Sequence, residues 1–252
     1  MDERASVRAY ELAQEGREPA FCVSTRSSEL TFVLEGELEV EVGPTRRVTT
    51  ARAGEGVLVL RGTPHATKNK PGTRFVIIDL PTVPSAEMGV VALPSESIPR
   101  ALERRIPDLW DQHEMVASGS LERPLAQLVA RAIPRGLVPL ETRHTTALML
   151  AVKRYLEAHY ALPLDLALLA SRFGVDRFYL VRAYTRNFGL SPIAYANALR
   201  IEHFVWSLLE SAAPGKLVEL AGDAGFGDYS TFCRKIRDRF GRAPSELVAH
   251  QS

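Results

Sequence analysis

The feature that most constrains this chain is a short pattern that occurs twice in its last hundred residues. In both copies a Leu-Ala pair is followed, four residues after the alanine, by a glycine and then by an aspartate. The copies are Leu169-Ala170, Gly174, Asp176 and Leu220-Ala221, Gly225, Asp228. A glycine can adopt the left-handed conformation that ends a helix, and an aspartate can cap the next helix by accepting hydrogen bonds from its first N–H groups. Each copy therefore predicts a short helix, a tight turn and a second helix.

Helical patterns surround both copies. We predict helices over residues 146–159, 164–173, 193–210 and 216–224, with further helices beginning at Asp176 and Asp228. This order is that of two helix-turn-helix units joined by a long helix. The second helix of such a unit can enter the major groove of DNA, which is about 12 Å wide.

Both second helices are rich in basic residues. Four arginines stand against one acid between residues 172 and 186, and five bases stand against one acid between residues 234 and 242. The bases are Arg172, Arg177, Arg182 and Arg186, then Arg234, Lys235, Arg237, Arg239 and Arg242. A duplicated basic surface favours a polyanionic partner, although each arginine could also belong to a solvated helix face.

These hundred residues resemble the DNA-binding domain of AraC-type (AraC/XylS) transcription regulators. The resemblance is carried by Arg182 with Tyr184, Gly189-Leu190-Ser191-Pro192, Arg200-Ile201, Leu208-Leu209, Leu220-Ala221, Gly225-Phe226, Phe232-Cys233-Arg234-Lys235-Ile236 and Gly241-Arg242-Ala243-Pro244. Two positions depart from the family pattern: Phe204 stands where a small residue is usual, and Val248 stands where arginine is frequent.

The resemblance implies that two recognition helices read successive major-groove segments of double-stranded DNA, about 34 Å apart on one face. The base-reading positions would be Arg177, Phe178, Val181 and Arg182 in the first helix, and Tyr229, Ser230, Cys233 and Arg234 in the second. Arg182 and Arg234 could pair with guanine, whereas Phe178 and Val181 offer only apolar contact, for example to a thymine methyl group. We expect Arg186, Arg237 and Arg239 to contact phosphates.

The first eighty residues predict β structure. Residues 37–42 alternate strictly between polar and apolar, as a strand with one wet face does, and further strands are predicted over 30–34, 48–51, 57–60 and 74–80. Glu35-Gly36 predicts a hairpin turn between the first two. Many short, closely spaced strands indicate a sandwich or a small barrel.

This region resembles the cupin-type sensor domain. Gly54, Gly62, His65 and Asn69 keep the spacing of the second cupin motif, with Leu60 in place of its proline, and Glu29 and Gly36 keep that of the first. A metal-binding cupin also needs a His-x-His pair shortly before the glutamate, where this chain reads Phe21-Cys22-Val23-Ser24-Thr25-Arg26. Two ligands are too few for a catalytic metal. We therefore expect no cofactor or metal, and a pocket for a small-molecule effector lined by Cys22, Arg26, Glu29 and His65. His65 could instead be purely structural.

Between these regions, residues 81–100 contain four prolines and predict an irregular connector. Leu125, Leu128, Val129 and Ala132 then form a helical stripe, either packed on its own domain or forming a dimer contact. We thus predict an α+β chain: a cupin-like effector-binding and dimerisation domain over 1–82, a connector with helices over 83–140, and a double helix-turn-helix domain over 141–252.

The composition is that of an ordinary globular protein, with 46% hydrophobic and 24% charged residues. The two cysteines lie far apart, and no apolar run suggests a signal peptide or a membrane span. We expect a cytoplasmic, homodimeric DNA-binding regulator with no membrane contact, and RNA polymerase is a further candidate partner. The alternative is a cupin enzyme, with or without a metal, that carries a helical appendage.

Overall fold

The computed structural model describes residues 6–11, 22–43, 46–80, 83, 88–100, 102–104, 128, 132, 137–139, 147–210, 217–240 and 243–249. The chain divides into two compact units, which comprise residues 1–18 with 24–142 and residues 19–23 with 143–252. No helix within the described ranges is long and apolar enough to cross a membrane.

The N-terminal unit is built from two antiparallel sheets. Its strands are β1 (Ser6–Glu11), β2 (Ser28–Glu35), β3 (Glu37–Val42), β4 (Arg47–Arg52), β5 (Gly56–Val59), β6 (His65–Asn69), β7 (Arg74–Leu80), β8 (Gly89–Leu93) and β9 (Leu137–Pro139). The larger sheet has the order β1-β7-β2-β5-β8-β9, and the smaller has the order β4-β3-β6. The α+β class and the cupin-like double-sheet architecture are confirmed.

The predicted hairpin at Glu35-Gly36 is wrong. β2 pairs with β5 and β7, whereas β3 pairs with β4 and β6, so the turn carries the chain from one sheet to the other. Gly36 has a φ of +83°, and a Cβ there would lie 2.6 Å from Oγ1 of Thr73. The Thr73 hydroxyl donates a hydrogen bond to the Glu37 carbonyl at 3.1 Å, which secures the corner. Turn residues mark where the chain bends, but they do not determine which strands pair.

Alternate residues of β2 enter two different hydrophobic cores. Leu30 and Phe32 belong to a core on one face of the larger sheet, and Val33 belongs to the core formed with the smaller sheet. Leu128 is buried in the first core and Ala132 packs against it. These two residues therefore pack on their own unit, and the rest of the predicted stripe, Leu125 and Val129, lies outside the described residues.

The prediction of an irregular connector over residues 81–100 is wrong where β8 forms. Val90 and Val91 are fully buried, because β8 pairs with β5 on one side and β9 on the other. A strand buried on both faces has no alternation of polar and apolar residues, so the flanking prolines were the only visible signal.

The described part of the C-terminal unit is helical throughout. Its helices are α1 (Ala147–His159), α2 (Leu166–Arg172), α3 (Arg177–Phe188), α4 (Pro192–Glu210), α5 (Leu217–Asp223), α6 (Tyr229–Phe240) and α7 (Pro244–Ala249). The predicted helices agree with these bounds to within two residues. The pairs α2–α3 and α5–α6 are the two helix-turn-helix units.

Candidate nucleic-acid interface

The second helix of each unit begins at the predicted aspartate. Oδ1 of Asp176 accepts hydrogen bonds from the backbone N–H groups of Phe178 and Tyr179, at 2.8 and 3.0 Å. Asp228 accepts the corresponding bonds from Ser230 and Thr231, at 3.3 and 2.7 Å. Hydrogen bonds from the Thr231 side chain and backbone, followed by the Ser230 backbone, lower the pKa of the Asp228 carboxyl below its ordinary value. Both caps satisfy N–H groups that the start of a helix leaves unpaired.

Helices α3 and α6 are both twelve residues long, so their positions can be compared one by one from the cap. The fourth residues, Leu180 and Phe232, and the eighth, Tyr184 and Ile236, are all fully buried. Since successive residues turn by about 100°, the sixth position lies on the opposite, outward face. The predicted guanine-reading arginines, Arg182 and Arg234, occupy that position.

The structure places the predicted DNA-contacting side chains of each helix on its accessible surface. Exposed side chains are Arg177, Phe178, Arg182, Arg186, Tyr229, Ser230, Arg234 and Arg237, and partly buried ones are Val181, Cys233 and Arg239. Each helix therefore presents a mixed basic and apolar face that the C-terminal unit leaves uncovered.

Exposed aromatic rings cluster at the starts of the two helices. Phe178 is 66% exposed, and the Arg177 guanidinium lies 5.3 Å from its ring centroid. Tyr229 is 38% exposed at the first position of α6. Tyr179, which the sequence analysis did not select, is 45% exposed beside Phe178. Tyr179 directly follows two proposed base-reading residues, and this position could have indicated that its side chain belongs to the exposed surface of α3.

The linker helix α4 supplies part of the core beneath α6. Phe204, the departure from the family pattern, is fully buried, and its ring centroid lies 4.6 Å from that of Phe232. Phe226 approaches Phe232 from another side, with centroids 5.2 Å apart. The large side chain of Phe204 thus becomes part of an aromatic core in the second helix-turn-helix unit.

A polar cluster lies beneath α3 instead. The hydroxyl of Tyr195 donates to Oε1 of Glu157 at 2.8 Å, and Lys153 forms an ion pair with the same carboxylate. Burial, and then the charge of Glu157, raises the pKa of both Tyr195 and Tyr184 well above the ordinary value. Within the described part of the chain, the buried Tyr184 hydroxyl has no hydrogen-bond partner.

Two of the four candidate effector residues meet between the sheets of the N-terminal unit. Nε2 of His65, on β6, lies 3.1 Å from Oε2 of Glu29, on β2. Nδ1 of His65 lies 3.0 Å from the Thr63 carbonyl oxygen, which can only accept, so Nδ1 carries a hydrogen. Cys22 is half-buried and Arg26 is exposed, and both lie in the segment before β2.

His65 is buried and Glu29 is partly buried, with side-chain exposures of 5% and 14%. In the described ranges, no three or more histidine, cysteine, aspartate or glutamate side chains are grouped so as to hold a metal ion. The pair links β2 of the larger sheet to β6 of the smaller sheet.

These features define a chain with a cupin unit followed by tandem helix-turn-helix units. Residues 10–81 match the family model of the cupin domain, and residues 169–250 match that of a helix-turn-helix domain. The chain accordingly carries a cupin domain and an AraC-type helix-turn-helix domain.

Curated relatives match about half of this chain or less. The Msm operon regulatory protein of Streptococcus mutans is 25% identical over 139 residues, which are 55% of this chain and 49% of that protein. The transcriptional regulator ExsA of Pseudomonas aeruginosa is 31% identical over 106 residues, 42% of this chain and 36% of that protein. The chain thus covers half or less of the length of each.

Crystal structures of ToxT from Vibrio cholerae share the fold. The complex with (E)-4-(8-methylnaphthalen-1-yl)but-3-enoic acid has a TM-score of 0.64 at 10% identity, and the match covers 99% of this chain and 100% of that one. ToxT bound to an unsaturated fatty acid has a TM-score of 0.62 at 12% identity, covering 98% and 95% of the two chains.

Proposed function

We propose that this protein is a sequence-specific DNA-binding transcription regulator rather than an enzyme. The observation that carries the proposal is the pair of aspartate-capped helices, α3 and α6, whose accessible faces are basic and aromatic. Two such surfaces in one compact unit suit two neighbouring segments of a polyanionic duplex. The regulator names of the matched relatives support the same function.

Each helix would read bases with its outward arginine and the residues of its first turns. Arg182 and Arg234 would bind guanine O6 and N7 in a bidentate manner, because the planar guanidinium matches these two acceptors. Phe178 and Val181 would contact thymine methyl groups. Arg186 and Arg237 would bind phosphates, which position the protein without reading sequence.

The cupin unit would bind a small-molecule effector and form the homodimer contact. ToxT, which has the same fold, is bound to a substituted butenoic acid in one of the structures above and to an unsaturated fatty acid in the other. A ligand in the interior of this unit would meet Glu29 and His65, and it would have to offer polar groups that replace their mutual contact. A cytoplasmic regulator of this kind would act on RNA polymerase.

Binding selection on random duplex DNA with the full chain tests the proposal. We expect an enriched motif with two conserved segments whose centres lie about 10 base pairs apart, one helical turn. Equal binding of all sequences would contradict it. Elemental analysis of the same sample is the control for the enzyme alternative, since stoichiometric iron, manganese, nickel or zinc would indicate a metal-dependent cupin.

A further inference from the structure

A single arginine of the linker helix holds the segment that enters the first helix-turn-helix unit. Arg200, in the middle of α4, donates from Nε to the Tyr160 carbonyl at 2.8 Å and from Nη2 to the Leu162 carbonyl at 2.9 Å. Its Nη1 donates to Oδ1 of Asn197, one turn earlier on α4, at 3.3 Å. Partial burial lowers the pKa of Arg200, but a guanidinium stays charged near neutral pH. The loop between α1 and α2 is thereby fastened to α4.

Ala161, which lies between Tyr160 and Leu162, contacts the second helix-turn-helix unit. Gly225, in the turn between α5 and α6, packs so closely on Ala161 that a Cβ at Gly225 would lie 2.5 Å from the Ala161 Cα and 2.6 Å from its carbonyl oxygen. Residues 160–162 therefore contact Arg200 on one side and the turn of the second unit on the other.

The contact between Ala161 and Gly225 lies at the edge of a cleft. This cleft of about 340 Å³ is lined by the loop before α2, by α4 and by the second helix-turn-helix unit, with Leu164, Asn197 and Phe226 as examples. Ala161, Arg200 and Gly225 all line this cleft, so the close contact of Ala161 with Gly225 joins the loop before α2 to the second helix-turn-helix unit at its edge.

We propose that Arg200 is a positioning residue which, through the contact of Ala161 with Gly225, fixes the separation of α3 and α6 and thus the half-site spacing that the protein accepts. The inference rests on the proposed function. A change of one base pair moves a half-site by about 3.4 Å along the axis and by about a tenth of a turn around it. Two helix-turn-helix units held at a fixed separation bind weakly to half-sites whose spacing has changed. Two units that can move relative to each other adapt to the new spacing and lose less affinity.

The chain offers a matched control. Gly174 occupies the place of Gly225 in the first unit, and both have positive φ, +65° and +89°. A Cβ at Gly174 would have no other atom within 4 Å, so Gly174→Ala strains only the backbone of its turn. Gly225→Ala adds the same kind of strain and also pushes Ala161 away.

The experiment measures binding of the full chain to duplexes that carry the selected half-sites with the natural spacer or with one base pair added or removed. We expect the unmodified protein and Gly174→Ala to prefer the natural spacer by about tenfold. Arg200→Ala and Gly225→Ala should reduce this ratio to about two- to threefold while each half-site keeps its base preferences.

An unchanged spacing ratio in both Arg200→Ala and Gly225→Ala would overturn the inference, as would equal binding of all spacers by the unmodified protein. If Arg200→Ala does not unfold cooperatively, Arg200→Lys decides, because lysine keeps the charge but cannot span both carbonyls with a planar fork. A lower ratio then supports the inference, and an unchanged ratio overturns it. Failure of the proposed function is distinguishable, since the unmodified protein would then show no base preference at either half-site.

Discussion

The two helix-turn-helix units have the same backbone plan but different surroundings. Both begin their second helix with an aspartate cap, and both end the first with a glycine of positive φ. Beneath α3 the buried rings of Tyr184 and Tyr195 adjoin a polar cluster around Glu157, whereas the phenylalanine rings around Phe232 form an apolar core beneath α6. The comparison shows that local sequence rules determine the motif, while its stability depends on residues contributed by other helices.

The largest effect should come from the aromatic core of the second unit. Phe232→Ala removes a ring in contact with Phe204 and Phe226, so we expect a loss of about 3–5 kcal/mol in the free energy of unfolding. Leu180→Ala, at the equivalent position of α3, should cost about 2–5 kcal/mol. Denaturant unfolding measures both values. A loss below about 1 kcal/mol for Phe232→Ala would mean that this core does not stabilise the unit.

The next largest difference in stability should be between alanine variants of the two turn glycines, Gly174 and Gly225. Gly174→Ala should cost about 1–2 kcal/mol, because alanine is strained at positive φ but meets no neighbour. Gly225→Ala should cost about 1–3 kcal/mol more, since its methyl group also overlaps the Ala161 backbone. Thermal unfolding of the two variants side by side tests the difference, and equal losses would contradict the close contact.

The two arginines assigned to bases and to phosphates should separate in binding assays. Arg234→Ala should weaken binding to the preferred duplex by about 1–3 kcal/mol and relax one base position. Arg237→Ala should weaken all sequences alike and reduce the salt dependence by about one phosphate contact. Titrations of preferred and scrambled duplexes at several salt concentrations measure both effects. The assignment fails if the two variants behave identically.

The hydroxyl groups of two buried tyrosines, Tyr184 on α3 and Tyr195 on α4, should differ by a smaller amount in their contribution to stability. Tyr195→Phe leaves Glu157 without its hydroxyl donor, so we expect a cost of about 1–3 kcal/mol. Tyr184→Phe removes a hydroxyl that has no partner in the described part of the chain, so the stability should stay within about 0.5 kcal/mol or rise. Chemical unfolding compares the two, and a larger loss for Tyr184→Phe would reveal a hidden partner.

The cap of α6 should produce the smallest effect, in acid. The pKa of Asp228 is lower in the folded protein than in the unfolded chain, so its contribution is complete above the unfolded value, near about 3.9, and is lost as the pH falls through the folded value. Asp228→Asn keeps a capping side chain but cannot titrate. Unfolding curves between neutral pH and pH 2 should show a shallower acid loss for this variant, and an unchanged slope would contradict the role of Asp228.

Sequence reasoning succeeded where local physics determines the structure. The caps at Asp176 and Asp228 and the helices around them follow from residue type and spacing, and so does the strand β3. It failed where long-range pairing decides: Gly36 joins two sheets instead of a hairpin, and β8 is buried among other strands. The contact of Gly225 with Ala161 also could not be read from the sequence, because the two residues lie 64 positions apart along the chain.

The central claim is that α3 and α6 read two different segments of one duplex. Binding selection with Arg182→Ala and with Arg234→Ala, in parallel with the unmodified chain, tests it most directly. We predict that each variant loses a base preference in its own half of the motif, at positions about 10 base pairs apart, and keeps the other half intact. Loss of the same base preference in both variants, or an unaltered motif in both, would contradict the claim.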